Sequence, residues 1–151
     1  RESDKDLVPP SDKDSKMILR QRADLSARTN IASASQADLF VSIHCNSIPS
    51  TQWSGAQTFY ASDNAQSAQL AQAIQQSLIS QLKNTEREAI VREDTYLFKH
   101  LDIPAVIVEC GFLSNADETA LLQQEAYQQK IAYAIFCGIS DYLDQSAAPE
   151  Q

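Results

Sequence analysis

Apolar and polar residues change their spacing several times along the chain, and each change predicts an element. From about Ser15 to Ser35, Ile18, the Arg22 stem, Leu25, Ile31 and Ala32 fall near one face at helical spacing, which predicts an amphipathic helix. Asp38 to His44 (DLFVSIH) is a short apolar run rich in β-formers. It predicts a buried strand with parallel pairing. After the loop CNSIPSTQWSG, marked by its Asn, Pro, Ser and Gly, Gly55 to Tyr60 (GAQTFY) predicts a second strand. Asp63 or Asn64 can cap a helix running to about Leu82, with Leu70 or Ala71, Ile74, Leu78 and Leu82 as its inner stripe. Lys83 to Asp94 is charged surface with room for a short strand at Ala89–Val91. Pro104 holds Ile103 extended, and Ala105 to Glu109 (AVIVE) is the most apolar strand of the chain. A last helix is expected from about Asp117 to Leu143, striped by Tyr127, Ile131, Ile135 and Ile139. Strands alternating with helices predict an α/β domain with a mostly parallel sheet flanked by helices.

The two ends lack such periodicity. Residues 1–16 (RESDKDLVPPSDKDSK) read as a surface loop and residues 144–151 as a flexible tail, leaving one domain over 1–143. The glutamine-rich patches at 71–76 and 123–129 read as solvated helix faces. Twenty acids against twelve bases give a net charge of −8. That balance argues against nucleic acid, whose binders carry a basic patch, and against a polybasic membrane anchor. No apolar run approaches the ~18 residues of a transmembrane segment. The chain opens on Arg1 with no signal peptide in view, so the native N-terminus is expected to have been removed. The cysteines, Cys45, Cys110 and Cys137, are odd in number and widely spaced. They form neither a disulfide framework nor a zinc-ribbon pattern.

Candidate chemistry gathers at two strand ends. His44 closes DLFVSI and Glu109 closes AVIV. In open α/β sheets, ligands bind beyond the carboxyl ends of the strands, so these residues can meet at one sheet edge. A carboxylate abutting an apolar run is costly to bury without a partner. Cys45 adjoins His44 and Cys110 adjoins Glu109. Strand neighbours point to opposite faces, so all three thiols are read as small core hydrophobes. A cysteine hydrolase pairing Cys110 with His44 would leave Glu109 unexplained. His100, in the polar segment Lys99–Asp102, reads as a surface residue.

Three blocks carry a family resemblance. Leu25-Ser-Ala-Arg28-Thr-Asn-Ile-Ala32, then Asp38-Leu-Phe-Val-Ser-Ile-His44-Cys-Asn46-Ser47, and finally Pro104-Ala-Val-Ile-Val-Glu109-Cys-Gly-Phe-Leu-Ser-Asn115 resemble the zinc-dependent N-acetylmuramoyl-L-alanine amidases. Ile48 to Gln57, with Trp53, looks like the germination-specific, spore-cortex branch. The resemblance runs from Arg1 to about Leu143 and implies the zinc amidase fold. It further implies hydrolysis of the amide between N-acetylmuramic acid and L-alanine in peptidoglycan, in spore cortex maturation or germination. Its implied cofactor is Zn²⁺, held by three protein ligands with water in the fourth position. On this resemblance His44 is a zinc ligand and Glu109 the catalytic carboxylate that moves the water's proton.

Three further residues have two readings each. Asn46 either orients a ligand or substrate or bonds its own backbone. Arg28 either meets a peptide carboxylate or pairs with an acid on its helix. Trp53 either stacks on a sugar ring or packs on the sheet. The family's other two zinc ligands, a His in Asp-Pro-Gly-His-Gly and a following Glu, have no counterpart in this sequence. Arg1-Glu-Ser-Asp4 matches the family's Thr-Arg-x-x-Asp, just after its second strand. The resemblance therefore implies that the first strand and helix of the domain are absent, and that residues 1–151 alone would be inactive. It implies peptidoglycan as partner, an activating protein as a second one, and a place outside the cytoplasm in the cell wall or spore envelope. The competing reading is a non-catalytic wall-binding or regulatory module that keeps the fold without the metal.

Overall fold

The computed structural model describes residues 17–147. The expected surface loop 1–16 and residues 148–151 of the expected tail lie outside the described residues, as does the side chain of Ile18. Helix α1 spans Met17–Ala34, strand β1 Phe40–Asn46, β2 Gln57–Tyr60, α2 Ala65–Leu82, β3 Ile90–Val91, β4 Ala105–Phe112, α3 Ala116–Leu122 and α4 Glu125–Ala147. A 3-10 turn occupies Phe98–His100.

The strands form one sheet in the order β1-β4-β2-β3. β1 pairs with β4, and β2 with β3, in parallel, whereas β2 and β4 are antiparallel. Two parallel pairings therefore flank one antiparallel pairing. The chain leaves β1 and reaches β2 without an intervening helix. A parallel return ordinarily needs a crossover of about a dozen residues or more, usually helical, so β2 comes back in the opposite sense.

β4 is buried along its whole length and is the central strand of the domain. Its alternate residues serve two layers. Val106, Val108 and Cys110 face α2 and α4 with Leu70, Ile74, Leu78, Ile131, Ala134 and Ile135. Ala105 and Ile107 face the other way, onto Phe59, Leu97, Phe98, Leu101 and Ala32 of α1. A buried strand read as a near-continuous apolar run is what two covered faces require.

α2 begins where its cap predicted: the Asn64 side chain accepts a hydrogen bond from Ser67 N. The Ser67 hydroxyl accepts from Ala105 N at 2.9 Å, tying the start of α2 to the start of β4. α2 and α4 approach closely at Gly138, where a Cβ would lie 2.4 Å from Ile74 Cα.

Several expectations need correction. β1 is a sheet edge among the described residues rather than a buried strand, and Ile43 is exposed. On α1, Ile31 points outward at 56% exposure, while Asp24, Thr29 and Ala32 are buried and Leu25 half-buried beside them. The exposed Arg22 lies off that face. The last helix is broken at Gln123 and Gln124 into α3 and α4, and α4 continues past Leu143 to Ala147, so residues 144–147 are helical rather than a loose tail.

Gln75 is not on a solvated face. It is 2% exposed, its Oε1 accepts from Thr58 N, and its Nε2 donates to the carbonyls of Ala56 and Arg87. A buried amide inside a helix thus satisfies backbone groups of β2 and the following loop. Cys45 is exposed and Cys137 half-buried, so only Cys110 is a core thiol.

Candidate functional site

His44 and Glu109 are paired residues of the parallel strands β1 and β4, and Gln57 is paired with Glu109 from the other side. The three side chains therefore stand abreast on one face, in a row crossing β1, β4 and β2. Paired residues on adjacent strands have Cβ atoms roughly 4.5–5.5 Å apart. The row lies toward the carboxyl ends of β1 and β4, where α/β sheets place their sites.

The row is polar in a mostly apolar layer. Glu109 is 9% exposed, and its Oε2 is buried without a hydrogen-bond partner. Its Oε1 lies 3.6 Å from a guanidinium nitrogen of Arg92. His44 is exposed, with Nε2 2.7 Å from the Ser42 hydroxyl. Gln57 is buried, donating to the Glu88 carbonyl and accepting from Arg87 Nη1 at 3.0 Å. An unpaired buried carboxylate oxygen costs free energy, and Glu109 is the member of the row whose polar atoms the fold leaves least satisfied.

The loop after β1 forms the neighbouring wall. Trp53 is 45% exposed there, with the Arg87 guanidinium 5.4 Å from its ring centroid. Arg87 also donates to the Ser54 carbonyl and lies over Phe112. The Trp53 carbonyl accepts from the Asn115 side chain at 3.3 Å. Glu118 locks this loop to β4: its carboxylate accepts from Gly55 N at 2.8 Å and from Phe112 N at 2.7 Å. Gly55 has φ +92 and Thr85 Oγ1 2.7 Å from where a Cβ would be, so both backbone and space demand glycine.

The other sequence candidates fall as follows. Asn46 ends β1, its carbonyl accepting from Leu113 N. Arg28 donates to Asp24 on its own helix at 2.6 Å, and none of its described contacts reaches His44 or Glu109. His100 is exposed, stacked on Tyr96 and bonded to the Tyr96 carbonyl, as a surface residue. Burial pushes the Cys110 thiol up to about 12, with Cys45 and Glu109 adding to the shift. Cys45 is also raised, first by burial and then by Glu109 and Glu118. Neither thiol is poised as a thiolate nucleophile.

Sequence reasoning did not single out Gln57, Arg87, Arg92 or Glu118. Gln57 opens a short strand and Glu118 stands in the first turn of α3, positions where polar residues are ordinarily solvated, and neither they nor the arginines carried a signal of burial.

A catalytic zinc needs three protein ligands. Among the described residues no three His, Cys, Asp or Glu side chains converge. The exposed imidazole of His44 beside an unpartnered carboxylate oxygen fits part of such a site, one ligand and a proton carrier, and does not complete it.

The chain belongs to the N-acetylmuramoyl-L-alanine amidase family, whose sequence model matches residues 1–141. It is 40% identical, over all 151 residues, to the germination-specific N-acetylmuramoyl-L-alanine amidase of Bacillus subtilis, and spans 63% of that protein's length. It is 37% identical over 120 residues to the amidase LytC of the same organism, covering 78% of this chain and 24% of LytC. Among solved structures, the CwlD amidase from Clostridioides difficile, determined in complex with the GerS lipoprotein, superposes with a TM-score of 0.90 at 42% identity, covering 96% of this chain and 74% of that one. The catalytic domain of CwlV from Bacillus (Paenibacillus) polymyxa superposes at 0.72 with 34% identity, covering 80% and 65%.

Proposed function

We propose that the whole protein is a zinc-dependent peptidoglycan hydrolase that cleaves the amide between N-acetylmuramic acid and L-alanine. The observation that carries the reading is the row formed by His44 and Glu109, with Glu109 Oε2 buried and unpartnered. The family membership and the germination-specific relative support the bond, and support a role in spore cortex maturation or germination.

Among the described residues His44 is the one that would act as a zinc ligand, and a complete site would draw its further donors from elsewhere in the protein. When bound, zinc lowers the pKa of water and polarises the scissile carbonyl. The Glu109 carboxylate takes the proton of the attacking water as the water's oxygen bonds to the lactyl carbonyl carbon. As the carbon–nitrogen bond breaks, the carboxyl group returns that proton to the departing alanine amine. Trp53 offers an exposed ring against which a sugar can stack, and Asn46 borders the end of β1. Arg28 is paired with Asp24 on α1, which favours the reading of a helix ion pair over that of a substrate contact.

A peptidoglycan substrate supports a location outside the cytoplasm, in the wall or spore envelope; no described helix is long and apolar enough to cross a membrane. The CwlD structure contains a lipoprotein, which supports an activating protein partner for this chain as well.

The test is incubation of the full-length protein with purified cortex peptidoglycan. New alanine amino groups, released in step with about one zinc per chain by atomic spectroscopy, would support the reading. Tight binding to the wall with no amine release would favour the non-catalytic module.

A further inference from the structure

The two oxygens of Glu109 have different surroundings. Oε1 faces the Arg92 guanidinium at 3.6 Å, whereas Oε2 is buried with no hydrogen-bond partner. Arg92 is itself held in place. Its backbone N–H donates to the Tyr60 carbonyl at 2.8 Å, fixing the chain just beyond β3 against the end of β2. Its guanidinium lies over the Phe59 ring, 3.7 Å from the centroid. Phe59 pairs with Ile107, two residues before Glu109 on β4, so ring and carboxylate share one face.

A carboxylate with no fixed neighbour turns freely about its last torsion, which has broad wells, and its two oxygens are then interchangeable. A cation seated on an aromatic ring removes that equivalence. Arg is suited to the task because a planar guanidinium stacks on a ring, which a compact ammonium does less well.

We propose that Arg92 is a positioning residue for Glu109: seated on the Phe59 ring, it holds Oε1 and thereby fixes the orientation of the carboxylate that accepts and returns the proton. The proposal rests on the reading of Glu109 as the proton carrier. Arg92 acts through Glu109 and not on the substrate, so its loss should appear in kcat and leave KM nearly unchanged. Misplacing a reacting group by about 1 Å can cost on the order of 100-fold, and a loss of roughly 10–100-fold is expected.

The experiment compares full-length wild type, Arg92→Ala, Arg92→Lys and Glu109→Gln on a purified muropeptide, following alanine amine release. Arg92→Ala should lose kcat at unchanged KM, Arg92→Lys should fall between it and wild type, and millimolar guanidinium chloride should restore part of the Arg92→Ala rate but none of the Glu109→Gln rate. A merely structural role would give no rescue by guanidinium. Wild-type kcat in Arg92→Ala, a loss confined to KM, or absence of rescue would overturn the positioning role while Glu109→Gln stayed inactive. A fully active Glu109→Gln would instead overturn the reading of Glu109, and this proposal with it.

Discussion

His44 of β1 and Glu109 of β4 are direct cross-strand partners, although 64 residues lie between them in the chain, and both side chains leave the sheet on the same face. A parallel register is what makes this pair. A shift by one residue would turn one of the two to the opposite face. His44→Ala in the full-length protein should therefore lower zinc occupancy as well as rate, since a site with one ligand fewer binds metal less tightly. Metal content by atomic spectroscopy checks it, and undiminished zinc would make His44 a structural residue.

Glu118 offers a test of how the Trp53 loop is held. Its carboxylate is the acceptor for both Gly55 N and Phe112 N, and it is buried. A hydrogen bond to a charged group contributes about 1.5–3 kcal/mol. Glu118→Ala leaves two buried donors unpaired and should lower stability by at least about that amount, measured as a reduced urea midpoint.

The crossing of α2 and α4 depends on the absence of a side chain at Gly138. A Cβ there would meet Ile74 Cα at 2.4 Å, and backbone has little room to yield. Gly138→Ala should destabilise by roughly 1–3 kcal/mol, the usual cost of overpacking. An unchanged melting temperature would mean that the helices separate without cost.

Much of this architecture was legible in the residues. The apolar run AVIV needed two covered faces and found them, and Asn64 with the Leu70–Leu82 stripe fixed α2 at both ends. Sheet order was not legible, because which strand lies beside which is decided by long-range pairing. The direction of β2 follows from a loop too short and too polar for a helical crossover. Ile31 misled because apolarity alone cannot choose between the two sides of a helix whose buried face also holds Asp24 and Thr29. In the candidate site, His44 and Glu109 stood out as ionisable residues closing apolar runs, although both lie inside their strands, which continue to Asn46 and Phe112. Arg87 and Arg92 did not stand out, since a guanidinium that reaches across two elements to an aromatic ring leaves no pattern in its own neighbourhood.

The thiols give a pH-dependent prediction. Cys110 titrates at about 12 in the folded protein against an ordinary value of 9.0, chiefly because it is buried. The folded state thus holds its proton more tightly than the unfolded chain. Its contribution to stability is constant below pH 9 and is lost as pH rises from about 9 toward 12. Denaturant titrations across that range should show wild type losing stability more steeply than Cys110→Ala. At neutral pH, iodoacetamide should label the exposed Cys45 and spare Cys110, as peptide mass mapping would show.

Glu109 carries the proposed chemistry. Glu109→Gln keeps the shape of the side chain and removes its capacity to take a proton, so the full-length variant should fold and retain zinc while its rate of alanine amine release from peptidoglycan falls by roughly 10²–10⁴-fold. A zinc-loaded Glu109→Gln protein that hydrolyses the bond at the wild-type rate would contradict that role.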